Sequence, residues 1–199
     1  MKNKGAIAPS YVADIVVADD LNLSSISQVY KNGKLVCENG KALFECETVD
    51  NSKVTNTVHL PKISADFFKT DVKDKFDAIE LIPESIITKK VTVSYSDSLS
   101  KVCVIERHHN LGTKGIGFVT NYGITNGAIA TSIGHDSHNV IVIGDNDSDM
   151  ALAVNTLGTS GGIAVCSEGK VIASMTLDIA GLMSVKSADE VTREHDNLY

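Results

Sequence analysis

Asn139-Val140-Ile141-Val142-Ile143-Gly144-Asp145-Asn146-Asp147-Ser148-Asp149-Met150-Ala151-Leu152-Ala153-Val154-Asn155-Thr156-Leu157-Gly158 carries three signals in one run. Residues 139–143 read as a strand, with Val140-Ile141-Val142-Ile143 continuously apolar. The Asp and Asn residues after it suit a helix cap and first turn, where carboxylates meet the positive end of the helix dipole. Met150, Ala151, Ala153, Val154 and Leu157 then recur at helical spacing, and Gly158 supplies the stop. A strand feeding a short helix at this point sets the class as mixed α and β.

Strand signals lie on both sides of this run. Upstream, residues 78–82, 90–94, 101–105, 115–119 and 128–133 read as strands. Downstream, residues 162–166 and 170–173 form a hairpin across Ser167-Glu168-Gly169. Ser187-Ala188-Asp189-Glu190 has the spacing of a capping box and opens a final helix. That helix has only Val191 and Leu198 as an apolar face, and the sequence stops at Tyr199, so this end reads as cut.

The first 60 residues have a different texture, with short runs at 13–17, 28–30 and 34–37. Asn32-Gly33 and Asn39-Gly40 separate successive runs by two residues that tolerate positive φ, the strongest short-range hairpin signal. The segment 48–62 is polar with isolated apolar residues. Residues 66–77 mix Phe67, Phe68, Val72 and Phe76 among charges and read as a connection or short helix. The expected organisation is a small antiparallel β-sandwich piece at 1–65, then a mostly β domain with packed helices at 66–199, α+β or mixed α/β in class with no complete barrel.

Composition narrows the function classes. The 199 residues are 43% hydrophobic and 22% charged, enough apolar surface for a core and too little polarity for a disordered chain. With 18 Lys and Arg against 25 Asp and Glu the net charge is −7, and no basic cluster occurs, which argues against a nucleic-acid partner. No apolar run reaches the length of a membrane span or secretory signal, so a cytoplasmic location without membrane attachment is expected. Cys37, Cys46, Cys103 and Cys166 are scattered in or beside apolar strand-like runs and read as reduced, structural thiols.

Two clusters carry candidate chemistry. His135-Asp136-Ser137-His138-Asn139 places two imidazoles and a carboxylate between two apolar strands, a set that can bind a divalent metal or polarise a small substrate. The offset between His135 and His138 puts them on opposite faces of an extended strand, so both reach one site only if the backbone turns between them. A polar turn held by Asp136 and Ser137 is the competing account. Glu106-Arg107-His108-His109 follows an apolar strand and is a secondary binding candidate. A Glu106–Arg107 salt bridge or a solvated strand end is the alternative there. Asp145-Asn146-Asp147-Ser148-Asp149 imitates a calcium loop but has Met150 where glycine is needed and Thr156 where glutamate is needed, so it is read as a helix cap. Gly158-Thr159-Ser160-Gly161-Gly162 follows a helix, whereas phosphate cradles precede one, and reads as a C-cap and turn. No His-x-His, His-Glu-x-x-His or Gly-Lys-Ser/Thr pattern is present.

These residues resemble a family. Residues 5–17, Gly-Ala-Ile-Ala-Pro-Ser-Tyr-Val-Ala-Asp-Ile-Val-Val, resemble the segment following the barrel of amidohydrolases, where the chain re-enters a small β-sandwich. Val104-Ile105-Glu106-Arg107-His108, Gly117-Phe118-Val119, Gly127-Ala128-Ile129-Ala130, Gly134-His135-Asp136-Ser137-His138, Asp149-Met150-Ala151-Leu152-Ala153-Val154-Asn155, Gly161-Gly162-Ile163 and Ile179-Ala180-Gly181-Leu182-Met183-Ser184 resemble, in order and spacing, the C-terminal portion of bacterial adenine deaminases. The resemblance covers about residues 1 to 184, with Ser10 standing where a glycine is common.

The resemblance implies metal-assisted hydrolysis of adenine to hypoxanthine and ammonia in purine salvage. The family's metal pair, manganese or iron, sits on a (β/α)-barrel that supplies the ligands before the position of Met1. It further implies that this chain alone is inactive and partners a missing barrel domain, with His135, Asp136 and His138 near the barrel mouth. A homo-oligomer is expected, and open strand edges in the N-terminal piece favour association. The alternatives are a structural or oligomerisation module, and a stand-alone metal-binding protein using His135 and His138.

Overall fold

The computed structural model describes residues 2–47, 49–71, 74–94, 96 and 99–198. Thr48, Val72 and Tyr199, named above, lie outside the described residues. The chain divides into two compact units, 1–50 and 51–199.

The first unit is a four-stranded antiparallel meander of β1 (Ile15–Ala18), β2 (Ile26–Lys31), β3 (Lys34–Glu38) and β4 (Lys41–Ala42). Both Asn-Gly turns form as read. Asn32 and Gly33 have φ of 51° and 76°, and Asn39 and Gly40 have 49° and 76°, the doubly positive pattern of a type I′ hairpin. The Asp14 carboxylate ties the sheet to the preceding segment by accepting from Lys4, Lys31 and the backbone N–H of Asn32. None of the described residues in this unit is buried, and Val16, Ile26 and Phe44 are exposed.

The second unit is built on an eight-stranded sheet in the order β12-β11-β9-β10-β7-β8-β5-β6. Its strands are β5 (Lys75–Leu81), β6 (Thr88–Ser94), β7 (Ser100–Ile105), β8 (Lys114–Thr120), β9 (Gly127–Thr131), β10 (Val140–Gly144), β11 (Gly162–Ser167) and β12 (Lys170–Thr176). All neighbours are antiparallel except β5 and β8. α1 (Asp147–Thr156) packs on the central strands, where Met150, Ala153 and Val154 meet Cys103, Ile105, Ala130, Val140, Val142 and Ala164. Period-2 alternation leaves Val104 and Ile129 on the other face, less buried. The α1 cap is the residue set read from sequence. Asn146 Oδ1 accepts from Asp149 N at 2.8 Å, and Gly158 follows the helix at φ 56°.

The unit boundary falls at 50/51 rather than 65/66 because the segment between them belongs to this core. Val58 and Ile63 are buried in it without forming strands, and Phe68, in a 3-10 turn at Ala65–Phe68, is fully buried beneath α1. α2 (Ala188–Asp196) opens on the capping box between Ser187 and Glu190 and has no buried residue. Among the described residues no helix is long and apolar enough to cross a membrane. One cysteine departs from the reading above: Cys46 is exposed, whereas Cys103 and Cys166 are buried thiols.

Candidate functional site

Strand register brings the two candidate clusters together. Ile105, the last residue of β7, pairs with Val140, the first of β10. The chain leaving β7 at Glu106-Arg107-His108 therefore emerges beside the chain entering β10 through His138-Asn139. At the same end β9 finishes at Thr131 opposite Ile163, and β12 finishes at Thr176 opposite Gly162. Four connections thus converge on one end of the sheet, although their residues are separated by tens of positions in sequence.

Arg107 sits at the centre of this convergence and is only 2% exposed. Its Nε donates to the His138 carbonyl and its Nη2 donates to the Ala180 carbonyl at 2.9 Å. Its own carbonyl accepts from His59 N at 2.8 Å. Burial draws its pKa below the ordinary arginine value. Among the described residues no carboxylate forms an ion pair with it, and Nη1 is buried without a hydrogen-bond partner. The Glu106–Arg107 salt bridge weighed from the sequence does not form. Successive residues point opposite ways as the strand ends, and Glu106 instead folds over its own loop. Burial works to raise the Glu106 pKa, but N–H donation from Leu111, His109 and His108 outweighs it and brings the value down to about 2.

The turn between β9 and β10 has the backbone reversal that the His135/His138 offset requires. His138 N donates to Gly134 O at 2.7 Å and Ser137 N to His135 O at 3.0 Å, with Asp136 and His138 at φ of 68° and 50°. His108 Nε2 lies 2.9 Å from Ser137 O, so the secondary cluster braces the primary one from the side. The two imidazoles nevertheless occupy different surroundings. His135 and Asp136 face solvent, with side chains 94% and 91% exposed and Nδ1 3.0 Å from Oδ1. His138 is half-buried, with Nδ1 buried and unpartnered beside the similarly unpartnered Oδ1 of Asn139.

This donor set does not fit a resident metal. Among the described residues no three His, Cys, Asp or Glu side chains are grouped to hold one, and an exposed His–Asp pair offers only two ligands where tetrahedral sites use three or four. What the turn can do is present an imidazole with a carboxylate oxygen 3.0 Å from its Nδ1, on a backbone fixed from behind by a buried guanidinium. An acidic partner on one ring nitrogen sets the tautomer and orients the other nitrogen for proton exchange or hydrogen bonding.

Two contributors were missed in the sequence. Ser132, fully buried, donates to Gly181 O at 2.6 Å and accepts from Gly162 N at 2.7 Å. The loop 179–183, folded on itself by Leu182 N and Met183 N donating to Ile179 O, supplies the second carbonyl for Arg107. Neither shows in local periodicity, and the loop was legible only through the family resemblance. At the other end of the sheet, a cavity of about 340 Å³ is lined by Lys69, Lys101, Phe118, Asp145, Asn146 and Asp147. Its acidic residues are engaged structurally: Asp147 pairs with Lys101 at 2.5 Å, and Asp145 accepts from Gly127 N at 2.9 Å.

The family described as Adenine deaminase C-terminal domain matches residues 80–199, a span that includes Arg107, the turn 134–139 and the loop 179–183. Adenine deaminase 2 of Carboxydothermus hydrogenoformans is 40% identical over 98% of this chain and 36% of its own length. The adenine deaminase of Clostridium acetobutylicum is 42% identical over 96% and 36%, and that of Dehalococcoides mccartyi is 36% identical over 100% and 37%. The chain therefore spans a little over a third of the length of these relatives.

Proposed function

Because the chain belongs to the adenine deaminase family through its C-terminal domain, we propose that it is the non-barrel body of an enzyme that hydrolyses adenine to hypoxanthine and ammonia. The metal of that reaction, manganese or iron, belongs on this reading to the part of the enzyme that this chain does not span. When bound there it supplies a hydroxide nucleophile at neutral pH. This chain contributes the turn 134–139. The single observation that carries the reading is the exposed His135–Asp136 pair, held on a turn whose carbonyls are engaged by Arg107 and His108. Rigid scaffolds presenting exposed polar side chains on a loop are the usual arrangement for binding and proton transfer.

The first unit is, on the same reading, one layer of an amidohydrolase-type β-sandwich. Its support is that none of its described side chains is buried although the sheet carries Val16 and Ile26. A sheet carrying apolar side chains ordinarily buries one face against a second layer.

The test is adenine loss followed by absorbance in the intact enzyme bearing His135→Ala, Asp136→Ala or both. A fall in kcat/KM of tenfold or more with an unchanged melting temperature supports the assignment. Unchanged turnover in the double variant rejects it.

A further inference from the structure

We propose that Arg107 is a positioning residue that joins the turn 134–139 and the loop 179–183 into one site, so that loop 179–183 forms the second wall of the surface presenting His135 and Asp136. The proposal rests on the functional reading of that turn and adds a segment and a linking residue to it.

Three observations carry it. First, a single guanidinium donates to a carbonyl in each segment, Nε to His138 and Nη2 to Ala180, and it is the fork geometry of arginine that spans both. Second, both segments hold non-glycine residues in the left-handed region: Asp136 and His138 at φ of 68° and 50°, and Ala180 at 56°. Asp and His adopt this region readily in turns, whereas alanine does so at a cost, so Ala180 in particular is held there by its surroundings. Third, Gly181, at φ 68°, leaves space that Arg107 uses. A Cβ there would lie 2.7 Å from Arg107 Nη1 and 3.2 Å from Ser132 Oγ. Ser132 closes the loop from the other side by donating to Gly181 O.

A buried arginine without a carboxylate is a costly way merely to fill space, because its charge is desolvated and only dipoles compensate it. A chain needing only to pin two loops can do so with neutral amides, as Asn155 does at Ile63. The arginine holds two carbonyls at fixed separation and keeps positive charge directly behind the turn that carries Asp136.

Amide hydrogen exchange on the 199-residue chain tests the link. Arg107→Lys, which retains charge but loses the fork, is expected to raise exchange tenfold or more in 134–139 and in 179–183 together, leaving strands β7, β9 and β10 unchanged. Arg107→Met is expected to do the same more strongly, and should it fail to fold, Gly181→Ala answers in its place. A methyl at 181 is expected to loosen the distant turn 134–139 through Arg107. Gly158→Ala, equally left-handed at φ 56° but with nothing within 4 Å, is the control and is expected to leave both segments unmoved. Loosening of one segment alone, or equal loosening throughout the sheet, overturns the proposal. In the intact enzyme Arg107→Lys is expected to lower kcat with little change in KM, and to add nothing to the loss caused by His135→Ala. If His135→Ala is silent, the reading of the turn fails while exchange still decides the link.

Discussion

Asn155, in the last turn of α1, binds the backbone of Ile63 in both directions: its Oδ1 accepts from Ile63 N at 2.9 Å and its Nδ2 donates to Ile63 O at 2.7 Å. Ile63 is buried on a segment with no strand partner, so this one amide does for it what a neighbouring strand would do. Asn155→Ala leaves a buried N–H and a buried carbonyl unpaired and is expected to cost roughly 2–4 kcal/mol. Asn155→Asp keeps one acceptor but sets a carboxylate oxygen against the Ile63 carbonyl at the negative end of the helix dipole, so it should cost at least as much as the alanine. Urea midpoints measured at constant m-value check the order, and wild-type stability in Asn155→Ala would remove the assigned role.

Asp149 works in the same way at the other end of the helix. Its carboxylate, on a residue only 2% exposed, accepts from Glu168 N at 3.1 Å, from Gly169 N at 2.8 Å and from Asn146 Nδ2 at 2.9 Å. It thereby fastens the β11–β12 turn to the start of α1, where negative charge is also favoured by the helix dipole. Asp149→Ala is expected to destabilise by about 3 kcal/mol, and Asp149→Asn by less because an amide oxygen still accepts. Thermal melts of the two variants give the comparison. Equal losses would mean that the negative charge, which the isosteric amide lacks, matters here rather than a single acceptor oxygen.

Glu106 makes the site's loop sensitive to acid. Its pKa falls from the ordinary 4.5 to about 2 in the folded chain, so the folded state holds the ionised form more tightly than the unfolded state does. The stabilisation is therefore complete above pH 4.5 and is lost as pH falls toward 2. Glu106→Gln should flatten this part of the acid limb and speed exchange at His108, His109 and Leu111, whose N–H groups it serves. An acid-unfolding profile superimposable on wild type would show that the loop does not contribute.

What the sequence makes legible here is local. Asn32-Gly33 and Asn39-Gly40 dictate their turns because two consecutive positive φ values exclude most other residues, and Asn146 and Ser187 announce their helices by side-chain bonds spanning three residues. The union of Glu106-Arg107-His108 with 134–139 is not local. It depends on Ile105 pairing with Val140, a register that no window of sequence contains. Val58 and Ile63 escaped for the same reason: an irregular segment has no period, and its burial is decided by α1. Arg107 was weighed as the partner of its neighbour Glu106, whereas tertiary packing sends the guanidinium inward and the carboxylate over the loop. Cys46 shows the converse, an apolar neighbourhood in sequence that no second layer buries.

The four cysteines give a readout of that difference in burial. Burial pushes the Cys103 thiol up to about 11 and raises Cys166 as well, so at neutral pH both are short of the thiolate that reacts with alkylating agents and are also shielded from them. Cys46 is exposed and Cys37 half-buried. Iodoacetamide at pH 8 is expected to label Cys46 first, Cys37 more slowly, and Cys103 and Cys166 only once urea opens the sheet. Raising the pH to about 9 should still leave Cys103 out of range, because its proton is held well above that pH. The labelling order is read by mass spectrometry of tryptic peptides. Native Cys103 reacting as fast as Cys46 would mean that the strand pair β7–β10, and with it the platform for Arg107, is not closed as described.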